Sequence, residues 1–341
     1  AGLTAGQAQA KDGNYWQFNP NASAPNWTEV TDKPATDVSS DYTIVAGALA
    51  GDAAKLPTTG VDKNTASSGD LIISNDSTPH HDIKTMSGTA AGGWAETTSG
   101  NAFATSNKVT VNAGGQVKLA AVAKKNKGEI YGGRAQSTTG MAFATDNVVT
   151  IAKGSNADRF AAETGIFGGT AKAGAGATAA GNQVIINRDN TTAQKINAVA
   201  NSKTDANTSR IVGGWVEASS ATDTSGVFIA RDNSVELYNV SYAGSGDLWK
   251  GGFIGGGYVK LGTKGNKANS LSATGNSVSL TNADINNSGN SNPFSIYGEH
   301  VTTNTGDSIA TADSVENVSV AGDGSKVNLS ITNSTLNNVQ V

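Results

Sequence analysis

Apolar and polar residues alternate along much of the 341-residue chain, as in strands that bury one face. Segments 108–111 and 327–331 place Val, Leu or Ile at every second position, with Thr, Ser, Asn or Lys between them. No apolar run keeps the i, i+3, i+4 spacing of an amphipathic helix over three turns. The pattern therefore predicts an all-β protein in which helix is nearly absent.

A six-residue phrase recurs: an isoleucine, an aromatic residue, two glycines, a variable residue, and an alanine or valine. Residues 130–135 read IYGGRA, and residues 44–49 resemble a degenerate early copy. The first glycines of the six copies are separated by 40, 36, 45, 43 and 42 residues. These are Gly92, Gly132, Gly168, Gly213, Gly256 and, in a worn copy, Gly298. Such a period is the signature of a repeat architecture.

A second phrase, AxxNxVx followed by Ile, Val or Leu, follows each of the first five copies. Its asparagines are Asn107, Asn147, Asn182, Asn233 and Asn276. Asparagine tolerates a left-handed backbone and its amide can bond a neighbouring chain segment, so we expect an internal ladder at a turn. The glycine doublets predict a bend. Phosphate binding is disfavoured because no helix with Lys-Ser or Lys-Thr follows them, and ligand or metal binding by the asparagines is the weaker interpretation.

These phrases and a third, looser run, as at 117–122 and 195–200, give three predicted strands per period. This arrangement predicts a right-handed parallel β-helix, a solenoid with one coil per period or, alternatively, two shorter coils. Residues 1–40 lie outside the repeat and predict an N-terminal cap, while 41–341 hold the repeats. Alternation continues to the last residue, so we expect a segment of a longer solenoid.

If each glycine doublet shifts the alternation by one residue, the residue after it points to solvent. The predicted exposed column is Trp94, Arg134, Thr170, Trp215, Tyr258 and His300, and its flanking column is Glu96, Gln136, Lys172, Glu217, Lys260 and Thr302. These side chains could stack on sugar rings or anchor a protein partner. Alternatively, they stabilise neighbouring strands by cross-strand pairing. The long connections 218–229 and 261–272 are further candidates for recognition.

Composition narrows the class of protein. Charged residues make up 15% of the chain, aromatic residues 6%, and there are 42 glycines, which is poor material for one large globular core. A formal charge of −4 gives no reason to expect nucleic acid as a partner. The absence of cysteine excludes disulfides and thiolate metal sites and favours an exported bacterial protein. No segment has the roughly 20 apolar residues of a membrane span.

Catalytic patterns are weak. The 306–308 segment GDS could suggest a serine nucleophile, but it lies within the sixth repeat and the chain has only three histidines. The 80–82 segment HHD is a poor metal site because adjacent strand residues point to opposite faces. Carboxylates are scattered rather than clustered, which disfavours a carbohydrate-active enzyme. We therefore expect no catalytic residues, no metal site and no cofactor.

The phrases at 130–133 and 147–151, with their recurrence from about 90 to 320, resemble the repeats of passenger regions in type V autotransporter adhesins of Gram-negative bacteria. The resemblance covers about two-thirds of the chain and is one of pattern and composition. It implies a right-handed β-helix, Sec-dependent export and a carboxy-terminal translocator barrel. It also implies outer-membrane display or secretion, and a role in adhesion or virulence. The sequence contains neither a signal peptide nor the barrel, as expected of an excised passenger, and a two-partner secreted adhesin would look similar.

The sequence thus favours a non-enzymatic adhesin segment on the bacterial surface, attached to a host or bacterial surface protein or glycan. The candidate ligand-binding residues are Trp94, Arg134, Trp215, Tyr258 and His300. Self-association, a passive stalk and a carbohydrate-active enzyme are the alternatives. Neither nucleic acid binding nor membrane insertion of this segment is expected.

Overall fold

The chain forms strands that stack in parallel. The computed structural model describes residues 7–8, 15–30, 37–38, 42–74, 85–86, 88–112, 116–118, 129–151, 156–159, 165–188, 194–198, 210–219, 226–244, 253–261, 270–286, 294–303, 318–320, 329–332, 335–337 and 339–340. Within these residues the protein is all-β and contains no helix. Accordingly, no helix in this part has the length and apolarity needed to cross a membrane.

The described strands form five sheets. Sheet 1 contains the glycine doublets and consists of β2 (Tyr15–Phe18), β3 (Trp27–Val30), β5 (Thr43–Gly51), β9 (Thr89–Thr97), β13 (Ile130–Ser137), β17 (Gly165–Ala173), β21 (Arg210–Ala218), β25 (Phe253–Leu261), β29 (Phe294–Thr303) and β33 (Val339–Gln340). Sheet 2 consists of β1 (Gln7–Ala8), β6 (Thr65–Ser67), β10 (Ala102–Thr105), β14 (Met141–Thr145), β18 (Gly176–Ala180), β22 (Val227–Arg231), β26 (Ser270–Thr274) and β30 (Val318–Val320).

The other three sheets contain shorter strands. Sheet 3 consists of β7 (Asp70–Ser74), β11 (Lys108–Asn112), β15 (Val148–Ile151), β19 (Gln183–Ile186), β23 (Ser234–Tyr238), β27 (Ser277–Thr281) and β31 (Leu329–Thr332). Sheet 4 consists of β4 (Asp37–Val38), β8 (Thr85–Met86), β12 (Gln116–Lys118) and β16 (Asn156–Arg159). Sheet 5 consists of β20 (Gln194–Ala198), β24 (Val240–Gly244), β28 (Asp284–Asn286) and β32 (Thr335–Asn337).

Each repeat adds one strand to each sheet it joins. Strands β13 and β17, for example, align Gly133 with Gly169 and Ala135 with Ala171, and β15 and β19 align Val149 with Val184. Two coils per repeat would instead pair strands half a period apart, so that alternative is wrong. The parallel, in-register stacking is compatible with a β-solenoid.

Each full repeat has four strands rather than the three predicted, because the second phrase is divided by a turn. In the second such turn Asp146, with φ of 57°, separates β14 from β15. The left-handed residue is therefore the one before each asparagine, not the asparagine itself as predicted. These residues are Ser106, Asp146, Gly181, Asp232 and Gly275. Short side chains or glycine suit this conformation, and the asparagine that follows is free to extend inward.

Two apolar clusters fill the interior between the sheets. Ile130 of sheet 1 packs with the branched side chains of sheet 3, such as Val149 and Ile151. Ala135 packs in a second cluster made mainly of alanine, together with Ala142 of sheet 2. Small side chains on facing strands allow these sheets to approach closely. This narrow interior explains how a chain with few aromatic residues forms a core.

The N-terminal region begins the stack. Strands β2 and β3 form an antiparallel hairpin that pairs with β5 at the first edge of sheet 1, where the sequence predicts a cap. However, β1 and β4 already join sheets 2 and 4 in parallel. Strand β5 aligns Ile44 with Ala90 and Leu49 with Trp94, across an irregularity between Val45 and Ala48. It is therefore the degenerate early copy of the repeat.

Candidate functional site

The glycine doublets position the outer face of sheet 1. A Cβ atom on Gly132 would lie 2.8 Å from the backbone nitrogen of Val148, and one on Gly133 would lie 2.2 Å from Oδ1 of Asn147. Both glycines therefore face the interior in succession. This shifts the alternation by one residue, so that Tyr131 and Arg134 share the outer face.

The five repeat asparagines form a continuous ladder inside the stack. Oδ1 of Asn147 accepts hydrogen bonds from the backbone nitrogen and Nδ2 of Asn107, both at 3.0 Å. Nδ2 of Asn147 donates to the backbone oxygen of Ala104 at 3.0 Å and to Oδ1 of Asn182 at 2.9 Å. The same pattern continues to Asn276. All five side chains are buried, so the ladder holds adjacent repeats together.

An aromatic band runs across the outer face of sheet 1. Its rings contact one another from the N-terminal hairpin to the sixth repeat, for example Trp27 with Trp94 at 5.5 Å, Tyr131 with Phe167 at 5.4 Å and Trp215 with Tyr258 at 4.3 Å between centroids. The band consists of Phe18, Trp27, Trp94, Tyr131, Phe167, Trp215, Phe253, Tyr258, Tyr297 and His300. Edge-on and offset contacts of this kind stabilise neighbouring strands.

In the first, third, fourth and fifth copies of the phrase, a large side chain on one side of the doublet is matched by a small one on the other side. Where the first is Ala91 the second is Trp94, and where the first is Phe167 the second is Thr170. Register places Phe167 beside Val212 and Trp215 beside Thr170 on successive strands, so each of these two rings has a small neighbour on one side. The sequence prediction considered only the column after the doublets and therefore missed this packing.

This packing buries part of the predicted exposed column. Trp94 is 8% exposed, and Thr170 and Trp215 are each 7% exposed, so the prediction that they project freely into solvent is wrong. They do lie on the outer face, but adjacent rings cover them. Arg134, Tyr258 and His300 are partly exposed. Burial lowers the pKa of His300 to about 4, which keeps its imidazole neutral at pH 7.

Two adjacent grooves are cut into this face. The N-terminal groove, of about 360 Å³, lies between the hairpin and the second copy of the phrase, and its charged lining is Lys55, Glu96, Glu129 and Arg134. The central groove, of about 500 Å³, has Tyr131, Phe167 and Trp215 as its floor. Its charged lining is Glu129, Arg134, Lys172, Arg210, Glu217 and Lys260. Arg134 and Glu129 border both grooves.

The arginines of the central groove lie against aromatic rings. The guanidinium of Arg134 is 4.6 Å from the ring centroid of Trp94, and its Nη1 donates to the hydroxyl of Tyr131 at 2.7 Å. Arg210 lies 4.9 Å from the ring of Trp215, and its Nη2 is 3.8 Å from Oε1 of Glu129. Both cations are thus oriented by packing as well as by charge. Sequence reasoning missed Arg210 and Glu129 because both lie outside the six-residue phrase.

The described residues contain no group of three or more His, Asp or Glu side chains that could hold a metal ion. The 80–82 and 306–308 segments lie outside the described residues, as do residues 220–225 and 262–269 of the two long connections. Comparison of the chain with protein-family models, with the curated proteins and with the solved structures gave no match.

Proposed function

We propose that this chain is a segment of a surface-displayed bacterial adhesin of the type V autotransporter class. In this proposal the stacked repeats form a right-handed parallel β-solenoid, and the outer face of sheet 1 attaches to a host or bacterial partner. The in-register parallel strands, the asparagine ladder and the alanine-rich interior support the solenoid. The recurring sequence phrases support the assignment to the type V autotransporter class.

The central groove is the observation that best supports a role in attachment. The ladder and the two interior clusters account for stacking, yet Lys172, Glu217 and Lys260 contribute to neither. Register places these three residues on successive strands at the rim of an aromatic floor. A concave apolar floor with a few charged groups at its rim is the usual form of a recognition site.

A passive stalk is the second candidate, and one observation favours it. Trp94 and Trp215 are largely covered by their neighbours, as expected of side chains that stabilise the sheet. The two candidates differ in whether the rim of the central groove matters for attachment.

Bacteria that display the segment can distinguish the candidates. We expect the charge reversal Lys172→Glu with Lys260→Glu to reduce attachment to host cells or to sister bacteria by about tenfold, because reversed charges at the rim are no longer complementary to the surface that the rim contacts. Lys108→Glu, on the exposed surface of sheet 3, is the matched control and should leave attachment unchanged. Flow cytometry would verify equal display. Equal attachment by all three strains would favour the stalk.

A further inference from the structure

The central groove differs in charge from the rest of the protein. Its lining has four cationic side chains and two carboxylates, a formal charge of +2, whereas the chain as a whole carries −4. The N-terminal groove has two cations and two carboxylates and is formally neutral. The positive charge is therefore local, and an anionic ligand would be attracted to the central groove in particular.

Two hydrogen bonds fix the guanidinium of Arg134 in an orientation that suits anion binding. Its Nη1 and Nη2 donate to the hydroxyl of Tyr131 and to Oε1 of Gln136, at 2.7 and 3.0 Å. A guanidinium has five N–H donors, so these two bonds leave others to face the groove. Its planar fork suits carboxylate and sulfate groups, and the contacts with the rings of Trp94 and Tyr131 reduce the entropy lost on binding.

Lys172 and Lys260 extend the cationic rim along the stack. Register places Gln136, Lys172, Glu217 and Lys260 in one column on β13, β17, β21 and β25. Neighbouring strands are about 4.8 Å apart, so the two lysines lie roughly 10 Å from each other. The carboxylate of Glu217 lies on the strand between the two lysines, so the cations form separate points along the stack rather than one site. Separate cationic points match a chain with spaced anionic groups better than a single small anion.

The aromatic floor of the central groove adds apolar contacts to the charge interactions at its rim. Tyr131, Phe167 and Trp215 form an apolar wall of low dielectric constant, which strengthens charge interactions at the rim. These rings are only 3, 3 and 7% exposed, so they present a narrow apolar strip. The carbon-bound hydrogens of a sugar ring can lie along this strip, whereas poly-glutamate has no apolar ring to place there.

From these observations we infer that the central groove binds an acidic glycan, a saccharide chain with carboxylate or sulfate groups. This inference rests on the proposed adhesin function and names the class of its ligand. Arg134, Lys172 and Lys260 contact the acidic groups, and the aromatic floor contacts the sugar rings.

The purified segment can be tested with dextran, carboxymethyl-dextran and dextran sulfate of equal length, and with poly-glutamate, by biolayer interferometry. We expect at least one charged dextran to bind about tenfold more tightly than both dextran and poly-glutamate. Binding should weaken between about 0.05 and 0.5 M NaCl as the charges are screened. Lys172→Gln with Lys260→Gln should lower the affinity about tenfold, and the matched Lys108→Gln should not change it.

Preference for carboxymethyl-dextran or for dextran sulfate would identify the acidic group. Equal binding of neutral dextran, equal binding of poly-glutamate, an equal effect of Lys108→Gln, or no binding of any probe would overturn the inference. Attachment of displaying bacteria, measured in parallel with the same variants, separates the two proposals. If attachment still depends on the groove while every dextran fails, the adhesin function stands and the acidic-glycan ligand does not.

Discussion

At the scale of single residues, the second glycine of each doublet and the asparagine of the same repeat depend on each other. The asparagine side chain occupies the space that a Cβ atom on that glycine would need, as in the pair Gly169 and Asn182. The sequence predicted a bend for the glycine and a ladder for the asparagine as separate features. It could not join them because strand β18 and its two flanking turns lie between them in the chain, and only the fold brings them into contact.

This dependence predicts a non-additive pair of substitutions. Asn182→Ala should lower the free energy of unfolding by about 3 kcal/mol, because it removes the acceptor for two buried donors of Asn147. Gly169→Ala should be at least as damaging, since its Cβ would lie 2.2 Å from Oδ1 of Asn182. In the double variant this clash is absent, so its loss should be smaller than the two single losses combined.

Urea denaturation followed by circular dichroism would measure these values. Asn101→Ala is the control, because Oδ1 of Asn101 accepts from the exposed backbone nitrogen of Met141, which water can satisfy instead. Its loss should stay below about 1 kcal/mol. Strict additivity of the two ladder substitutions would contradict the proposed contact.

At the scale of strands, β29 shows how the ladder ends. Here the second glycine of the phrase is replaced by Glu299, which aligns with Gly257 and is buried. Its Oε1 accepts from the backbone nitrogen of Asn276 at 2.9 Å and from Nδ2 at 3.4 Å. The carboxylate therefore takes the place of the asparagine that the sixth repeat lacks. From the sequence alone this copy is a degenerate repeat, because the pattern does not reveal that the side chain of Glu299 points inward.

Substitutions of Glu299 test this role. Glu299→Gln keeps an oxygen acceptor and should change the free energy of unfolding by less than about 1 kcal/mol. Glu299→Gly restores the repeat glycine but leaves buried donors of Asn276 without an acceptor, and should lose about 3 kcal/mol. Glu217→Gly, at an outward position of β21, measures the cost of a strand glycine alone, about 1 kcal/mol. Equal losses for the two glycine variants in urea denaturation would refute the role of Glu299 as the last acceptor of the ladder.

At the scale of the whole molecule, the period and phase of the repeat were predictable because stacking imposes the same residue types at the same sheet positions. For the outer face of sheet 1, which carries the candidate site, only the location was predictable. Whether a ring such as Trp215 is exposed depends on rings from adjacent strands and from other columns, including Phe167 and Phe253. Such contacts depend on the pairing register of adjacent strands, which cannot be read from a single sequence.

If each repeat is one layer of the stack, a whole layer can be removed. Deletion of residues 130–165 joins Glu129 to Ile166, which is the register partner of Ile130, and leaves Asn107 next to Asn182 in the ladder. Trp94 would then meet Phe167, a ring that already packs edge-on against Trp215 at 5.7 Å. We expect a β-type circular dichroism spectrum and a cooperative urea transition with a somewhat smaller m-value, because less surface is buried.

The matched deletion of residues 148–165 removes β15 and the rest of the repeat but keeps β13 and β14. Strand β17 would then follow β14 directly, so sheet 3 would lose a strand while sheets 1 and 2 kept theirs. Because nearest-neighbour stacking stabilises each layer, this mismatch should abolish the cooperative transition. If the half-layer deletion unfolded as cooperatively as the full-layer deletion, the repeat would not be the unit of stacking.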